Sequence, residues 1–469
     1  MDPQPHQGVC ADAIATLEGI PREALDAHAA GPVARAEAEL ARDFPGLRVS
    51  CFAAAEWGEA PEALCAARAA IARADMIVVS LLFLEDHVQA ILPDLAARRD
   101  DADALVAMIA DAQIVKLTRM GSLDMGVPQS GMGALMKRLR GSSKPSTESG
   151  ARKMQMLRRL PRLLRFIPGK AQDLRAWFLC MQYWLGGSDE NVAALVRFLL
   201  SRYAGREEFR GARAPEPVEY PDCGVYHPDL PGRIGTDAAA LPRPAAPVAT
   251  VGLLLMRSYV LSGDTAHYDG VIRAFEARGI RVVAAFSGGL DGRPAIAAYF
   301  RDAHGARIDA LVSLTGFSLV GGPAYNDNDA AIEVLRELDI PYIAAHPLEF
   351  QTLGQWADSR QGLGPIETTM LIALPELDGA TRPHVFAGRH GEEGCSGCRR
   401  ACTGTGGKAM APCTERIDAL VARTEKAARL RRSEVSGRRI AIVLFGFPPN
   451  AGAAGTAAYL SVWESLFNT

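Results

Sequence analysis

Along this chain the spacing of apolar residues alternates between a period of two and a period near 3.6. In the first region Ala13–Leu17 is a strand candidate, Pro32–Arg42 a helix rich in Ala and Glu, Leu47–Ala53 a second strand and Ala60–Ala74 another helix. Met76–Phe83 is an almost unbroken apolar run, the pattern of a strand buried on both faces of a parallel sheet. Asp103–Ile109 reads as a helix and Gln113–Leu117 as a short strand. Trp177–Leu185 reads as a helix whose aromatics belong to a core. Glu190–Tyr203 reads as a helix with Val192, Leu195, Val196 and Leu199 on one face. Such alternation predicts βαβ units and an α/β sheet.

From Glu208 to Pro247 the chain is dense in Pro and Gly, which marks a boundary. Beyond it the pattern is clearest: strands at Thr250–Met256, Arg281–Phe286, Ala310–Leu314 and Tyr342–Ala345, and helices at Ala266–Arg278, Arg293–Ala303 and Ala330–Leu338. This is the order of a Rossmann-like or flavodoxin-like doubly wound unit, with its post-strand loops on one edge. Ser258-Tyr259, Ser287–Asp291, Thr315–Ser318 and His346-Pro347 would line a polar cleft there. None matches a dinucleotide fingerprint or a phosphate-cradling P-loop, so no nucleotide site is expected. Met370–Leu374 reads as a strand running into Glu376 and Asp378. Two carboxylates beside a Gly suit a hard cation or proton transfer, or simply an Asp-Gly turn. A charged helix follows at Glu415–Arg432. Arg438–Gly452 then starts a new strand and loop, Thr456–Leu466 a helix, and the chain reads as cut off inside a further domain.

The expected fold class is therefore α/β. Residues 1–205 form an N-terminal α/β head, 206–247 a linker and 248–385 the doubly wound domain. Residues 386–435 hold a Cys-rich loop and the charged helix, and 436–469 the start of a further α/β domain.

Composition adds limits. With 469 residues, 48% hydrophobic and 22% charged, the chain is an ordinary globular protein of two or three domains. A formal net charge of −3 gives no global pull toward nucleic acid or membrane. No apolar run approaches the roughly 20 residues of a membrane span, and no signal-peptide pattern opens the chain. Scattered cysteines suit a reducing compartment, so a cytoplasmic location is expected. Lys137–Arg175 is strongly basic. With Phe166 as its one aromatic it suits a solvated helix pair around a Gly141–Gly150 linker, Leu157, Leu160, Leu163 and Leu164 forming the buried stripe, better than a nucleic-acid arm.

Two stretches concentrate chemistry. Glu85, Asp86 and His87 follow the Met76–Phe83 run, at the strand end where open α/β sheets place ligands; the same residues suit a helix N-terminus carrying acids in its first turn. Cys395, Cys398, Cys402 and Cys413, with His390 just upstream, have the spacing of a thiolate site for zinc or an iron–sulfur cluster, or remain unliganded thiols.

Several long runs carry a resemblance: MIVVSLLFLEDHVQAILP, QIVKLTRMGSLDM, LPELDGAT, VFAGRHGEEGCSGC and RRIAIVLFGFPPNAGAAGTAAYLSVWESLFN. Together they resemble the large H-type subunits of magnesium chelatases, from about Phe44 onward, whereas the residues before Pro32 fit poorly. The related cobaltochelatase large subunits are similar only beyond about Pro247, and lack a domain like the one carrying Glu85-Asp86-His87. The resemblance implies a subunit that binds protoporphyrin IX and Mg²⁺. It also implies two AAA+ partners, the I and D subunits, that hydrolyse ATP to drive insertion toward (bacterio)chlorophyll. It implies a head domain joined to a porphyrin-cradling body much longer than this chain, so that this chain alone is expected to be inactive. A cobalt-inserting large subunit or a non-catalytic porphyrin-binding and docking module are the alternatives. Glu376 and Asp378 are expected to line or support the porphyrin cleft, and Glu85, Asp86 and His87 to shape the head. The cysteines are expected to be structural or redox-responsive, since thiolates suit Mg²⁺ poorly.

Overall fold

The structure is a computed structural model. It describes residues 11–18, 27–54, 57, 61–127, 161, 164–209, 211–322, 325–349, 351–390, 398, 409–443 and 461–468. The chain divides into two compact units, Met1–Ala428 and Arg429–Thr469.

The first unit contains two sheets. In the first, β1 (Ala11–Glu18), β2 (Leu47–Ala53), β3 (Met76–Ser80) and β4 (Ala104–Met108) run parallel. The hairpin β5 (Arg119–Met120) and β6 (Leu123–Asp124) closes one edge, in the order β2-β1-β3-β4-β5-β6. Helices cover both faces. Met76, Val78, Ala104, Val106 and Met108 pack toward α1 (Ala27–Asp43), α5 (Ala171–Gly186) and α6 (Asp189–Tyr203). Ile77, Val79, Leu105 and Ala107 pack toward α2 (Pro61–Arg73) and α3 (Glu85–Arg98). Burial on both faces explains the unbroken apolar run of β3. The aromatics of α5 are core, and the Trp177 indole donates to the Ala107 carbonyl at 2.9 Å.

Two sequence expectations fail here for identifiable reasons. Asp103–Ile109 is not a helix but β4, five residues buried on both faces, a run too short for its periodicity to choose between helix and strand. Gln113–Leu117 is not a strand but the short helix α4 (Ala112–Lys116), started by Asp111, whose side chain accepts from the Gln113 amide. Of the basic run, Leu164 is buried, while 141–150, Leu157, Leu160 and Leu163 lie outside the described residues.

The second sheet has five parallel strands: β9 (Thr250–Met256), β10 (Arg281–Ser287), β11 (Ala310–Ser313), β12 (Tyr342–Leu348) and β13 (Thr381–Gly388). Antiparallel strands β7 (Cys223–Tyr226), β8 (Ile234–Gly235) and β14 (Ala411–Pro412) complete it, in the order β14-β13-β12-β11-β9-β10-β7-β8. The Pro/Gly-rich stretch expected as a linker thus supplies two strands at one edge. Tyr268, Val271, Ile272 and Phe275 of α8 (Ala266–Glu276) cover one face with Ile417, Leu420 and Val421 of α12 (Thr414–Arg432). Ile296, Phe300, and Ala331 and Leu338 of α9 (Asn328–Leu338) cover the other. After β12 the chain forms α10 (Leu353–Asp358), opened by Thr352, whose hydroxyl accepts from the Gln355 amide.

Met370–Leu374 is not a strand. Thr368–Ala373 is a π-helical turn that runs into α11 (Leu374–Asp378), with Met370 and Leu371 buried and Pro375 in the first turn. A continuous apolar run with one buried face imitated a strand. In the second unit, residues 438–443 form no strand and 444–460 lie outside the described residues; a helix spans Val462–Asn468.

Candidate functional site

The parallel strands of the second sheet follow the flavodoxin-like order, with the switch of winding direction between β9 and β11. Ligands of such sheets bind beyond the carboxyl ends of the strands at that switch. The residues predicted to meet there follow or end these strands, but Ser258 and Tyr259 belong to a helix, Ser287 ends β10, and His346 and Pro347 lie inside β12 rather than in a loop after it.

At the end of β9 the chain enters α7 (Arg257–Ser262), which carries Ser258 and Tyr259. The buried Ser258 hydroxyl has no partner, and the Tyr259 hydroxyl donates to the Glu349 carboxylate. Beyond β11, Thr315 Oγ1 lies 2.9 Å from Ser313 Oγ. Gly316 turns with φ +74°, and a Cβ there would meet Leu371 Cδ2 of the π-helical turn at 3.3 Å, with the His346 side chain just beyond. Glycine is needed for both the turn and this close approach.

Three nearly enclosed polar side chains stand out. His346 is 1% exposed, and neither ring nitrogen has a partner. His267 on α8 is fully buried among Tyr259, Tyr268 and Phe386, again with both nitrogens unpartnered. Burial pushes both imidazoles down to about 3, so both are neutral at physiological pH. Glu367, 4% exposed, accepts from Gln351 Nε2 at 2.5 Å and the Gly364 amide at 2.9 Å through Oε2, leaving Oε1 unpartnered. Each buried polar atom left unpaired costs about 1–3 kcal/mol, so these side chains carry a cost in stability at that edge. A neutral imidazole offers one donor and one acceptor.

Sequence reasoning missed His267 and Glu367. The first looks like one polar residue on an amphipathic helix. The second had a signal, since an acid three residues after Gly364 fits a helix start.

The other predicted residues are dispersed. Glu376 is exposed on α11. Asp378 is 1% exposed; its Oδ2 accepts from Ser318 Oγ at 2.5 Å and the Leu319 amide at 2.8 Å, which fastens the loop after β11. Burial pushes the Asp378 carboxyl up, against the two donors that favour its ionised form. In the first sheet, Glu85 and Asp86 are exposed in the first turn of α3, where acids favour the helix dipole. His87 is half-buried, edge-on to Trp57 at 5.6 Å, and burial lowers its pKa against the opposing charge of Asp86.

Cys395 and Cys402 lie outside the described residues. Cys398 and Cys413 share a small apolar cluster with Leu348, Leu353 and Val385, and nearby His390 is buried with both nitrogens unpartnered. Among the described residues no three His, Cys, Asp or Glu side chains converge as a metal site. Nor is any described helix long and apolar enough to cross a membrane.

Comparison with known proteins decides the family. A model described as CobN/Magnesium Chelatase matches residues 181–469, and one for a domain of unknown function (DUF3479) matches residues 23–178. The chain belongs to the CobN/magnesium chelatase family. The magnesium-chelatase H subunit of Cereibacter sphaeroides is 63% identical over 95% of this chain and 38% of that protein. Its Rhodobacter capsulatus counterpart is 61% identical over 95% of this chain and 37% of that protein. The chain thus spans well under half the length of these relatives. The aerobic cobaltochelatase subunit CobN of Pseudomonas aeruginosa is a more distant family member, 26% identical over 61% of this chain and 22% of that protein. Among solved structures, the catalytic subunit of cobaltochelatase from Mycobacterium tuberculosis matches with a TM-score of 0.50. It is 17% identical over 92% of this chain and 29% of that one, a likeness of fold.

Proposed function

We propose that this chain is the N-terminal part of a magnesium chelatase H-type subunit, which presents protoporphyrin IX for ATP-dependent insertion of Mg²⁺ in (bacterio)chlorophyll synthesis. The observation that carries the reading is the 63% identity, sustained over 95% of the chain, to a magnesium-chelatase H subunit. Metallation must remove two protons from the pyrrole nitrogens and water from Mg²⁺. The carboxyl edge of the second sheet is where this fold places ligands. His346 and His267 are neutral, buried and unpartnered there, and Glu367 keeps one oxygen unpartnered. In this reading the macrocycle approaches that edge, His346 hydrogen-bonds to it, and Asp378 holds the loop after β11 from behind. Glu376 is a further carboxylate of the same region, and Glu85, Asp86 and His87 shape the head. The AAA+ proteins I and D are the partners that use ATP, and the cytoplasm is the expected location.

The test is a hybrid protein in which these residues replace the matching part of the Cereibacter sphaeroides H subunit, assayed with its partners, ATP, Mg²⁺ and protoporphyrin IX. Formation of the magnesium porphyrin is expected. A folded hybrid that assembles with its partners and forms none overturns the reading.

The Cys395, Cys398, Cys402 and Cys413 loop, with His390, is proposed to hold zinc or an iron–sulfur cluster. Unpartnered His390 and the shared surroundings of Cys398 and Cys413 support it. About one zinc, or stoichiometric iron and sulfide, should stay with the chain through gel filtration; metal-free, fully folded protein refutes the proposal.

A further inference from the structure

Beside β13, α12 places Arg416, Arg423 and Lys426 on one flank, at roughly 100° per residue, over about 15 Å of helix. Two of these side chains are held in fixed positions. The half-buried Arg416 guanidinium lies over the face of Trp356, 5.0 Å from the ring centre, and its Nε donates to the Val385 carbonyl at 3.2 Å. Arg423 Nη1 lies 3.3 Å from Nδ1 of the buried His384, whose Nε2 lies 2.7 Å from the Arg416 carbonyl. Burial lowers the His384 pKa to about 4, so the ring is neutral at physiological pH. An arginine only donates and a carbonyl only accepts, so the proton sits on Nε2, and Nδ1 receives Arg423. Arg423 and Lys426 are otherwise exposed.

This positive charge is poorly balanced. Arg35, Arg197 and Arg278 each have a carboxylate partner, whereas among the described residues Arg416, Arg423 and Lys426 have none. The acids of α12 serve elsewhere: Glu425 pairs with Arg278, Asp418 falls on the far side of the helix, and Glu415 is the acid that adjoins Arg416. Burial, and then the charge of Arg423, lower the pKa of Arg416, so the two guanidinium groups repel each other. Cations fixed together in this way attract an anion.

Guanidinium forks suit carboxylates, which they bond in pairs. The two forks are fixed by different neighbours, two helical turns apart, so a row of carboxylates matches them better than one small anion. Carboxylates on one face of a second helix repeat with the same pitch as the cations of α12. We propose that this flank of α12 docks an acidic helix of a partner protein, with Arg416 and Arg423 each taking a carboxylate and Lys426 a third. The surface is separate from the candidate porphyrin edge, and the proposal does not depend on that reading.

The probe is a labelled, alanine-based helical peptide carrying glutamates along one face, titrated into the whole chain and followed by fluorescence anisotropy. The control has the same composition with its glutamates spread around the helix. Saturable binding of the first peptide is expected, weakened by salt, with the control at least about tenfold weaker. Arg423→Glu should weaken the peptide at least about tenfold, and Arg165→Glu, exposed on the basic run before α5, should leave it unchanged. A peptide with lysine in place of each glutamate should bind the double reversal Arg423→Glu/Lys426→Glu and not the wild type, an exchange that lost folding could not produce. No saturable binding, equal binding of the control peptide, or failure of that exchange while the circular dichroism is unchanged each overturns the proposal. So does tighter binding of anionic lipid vesicles or of single-stranded RNA than of the peptide.

Discussion

Replacing Asp378 tests how the loop after β11 is held, because the residue's two oxygens do different things. Oδ2 accepts from Ser318 Oγ at 2.5 Å and the Leu319 amide at 2.8 Å, whereas Oδ1 has no partner in a side chain 1% exposed. Alanine removes the acceptor and leaves a hydroxyl and an amide unpaired inside the fold. At about 1–3 kcal/mol for each of the two orphaned donors, Asp378→Ala should cost about 2–6 kcal/mol. Asparagine can place its carbonyl where Oδ2 stands and its NH₂ group where Oδ1 stands, which keeps both bonds. It gives up charge assistance, roughly 1 kcal/mol per bond, and escapes the cost of a buried carboxylate, so its net effect should stay within about 1.5 kcal/mol. The pH dependence supplies the sign. Burial holds the folded-state pKa of Asp378 above its ordinary value. The stability linked to this proton is present below an ordinary carboxylate pKa of about 3.9 and lost as pH rises through the raised value. Asp378→Asn carries no such proton, so it should gain on the wild type as pH rises from about 3.5 toward neutrality. Hydrogen exchange of second-sheet peptides in increasing urea gives the local unfolding free energy. Asp378→Asn as damaging as Asp378→Ala, or losing ground as pH rises, would refute the reasoning.

Three further outcomes are expected. Burial pushes His267 and His346 down to about 3 and His384 to about 4. The unfolded chain binds these protons first, so stability should fall below pH ~6.5, by up to about 1.4 kcal/mol per pH unit for each histidine. Urea unfolding of His267→Leu should show a slope shallower by about that amount. At Gly224 a Cβ would sit 2.7 Å from Phe286 Cζ and 2.8 Å from the Gly235 carbonyl, so Gly224→Ala should cost about 1–3 kcal/mol and speed exchange in β7 and β8. Removing the exposed first-turn acids with Glu85→Ala and Asp86→Ala should lower stability of the first sheet by about 0.5–1 kcal/mol in thermal melts, and high salt should shrink the difference.

The fold was legible wherever a strand or helix was long and its burial simple. Leu47–Ala53 and Thr250–Met256 were expected at the bounds they have, because flanking turns and apolar content agree. Short, doubly buried β4 was misread because alternate residues serve opposite cores and no polar face remains to reveal a period. The π-helical turn at Thr368–Ala373 was misread because its surroundings, not its period, select that shape. Strands β7 and β8 hid in a Pro/Gly-rich segment since edge strands need little apolar sequence. At the site, the loops around the switch were visible from strand order alone. The unpartnered state of His267, His346 and Glu367 was not, because burial without a partner exists only after the chain has folded. Asp378 was singled out as a cation or proton-transfer group, a turn residue, or a residue lining or supporting the cleft, and its Oδ2 accepts two bonds from the loop after β11, which the sequence did not reveal.

Whether this edge meets the macrocycle is decided by titrating the whole chain with protoporphyrin IX and following the quenching of its five tryptophans. One of these, Trp356, belongs to α10, which closely follows β12. Saturable quenching is expected, with an affinity that falls about tenfold in His346→Phe while the circular dichroism is unchanged. Quenching that never saturates, or saturates equally in that variant, contradicts the claim that the porphyrin binds here.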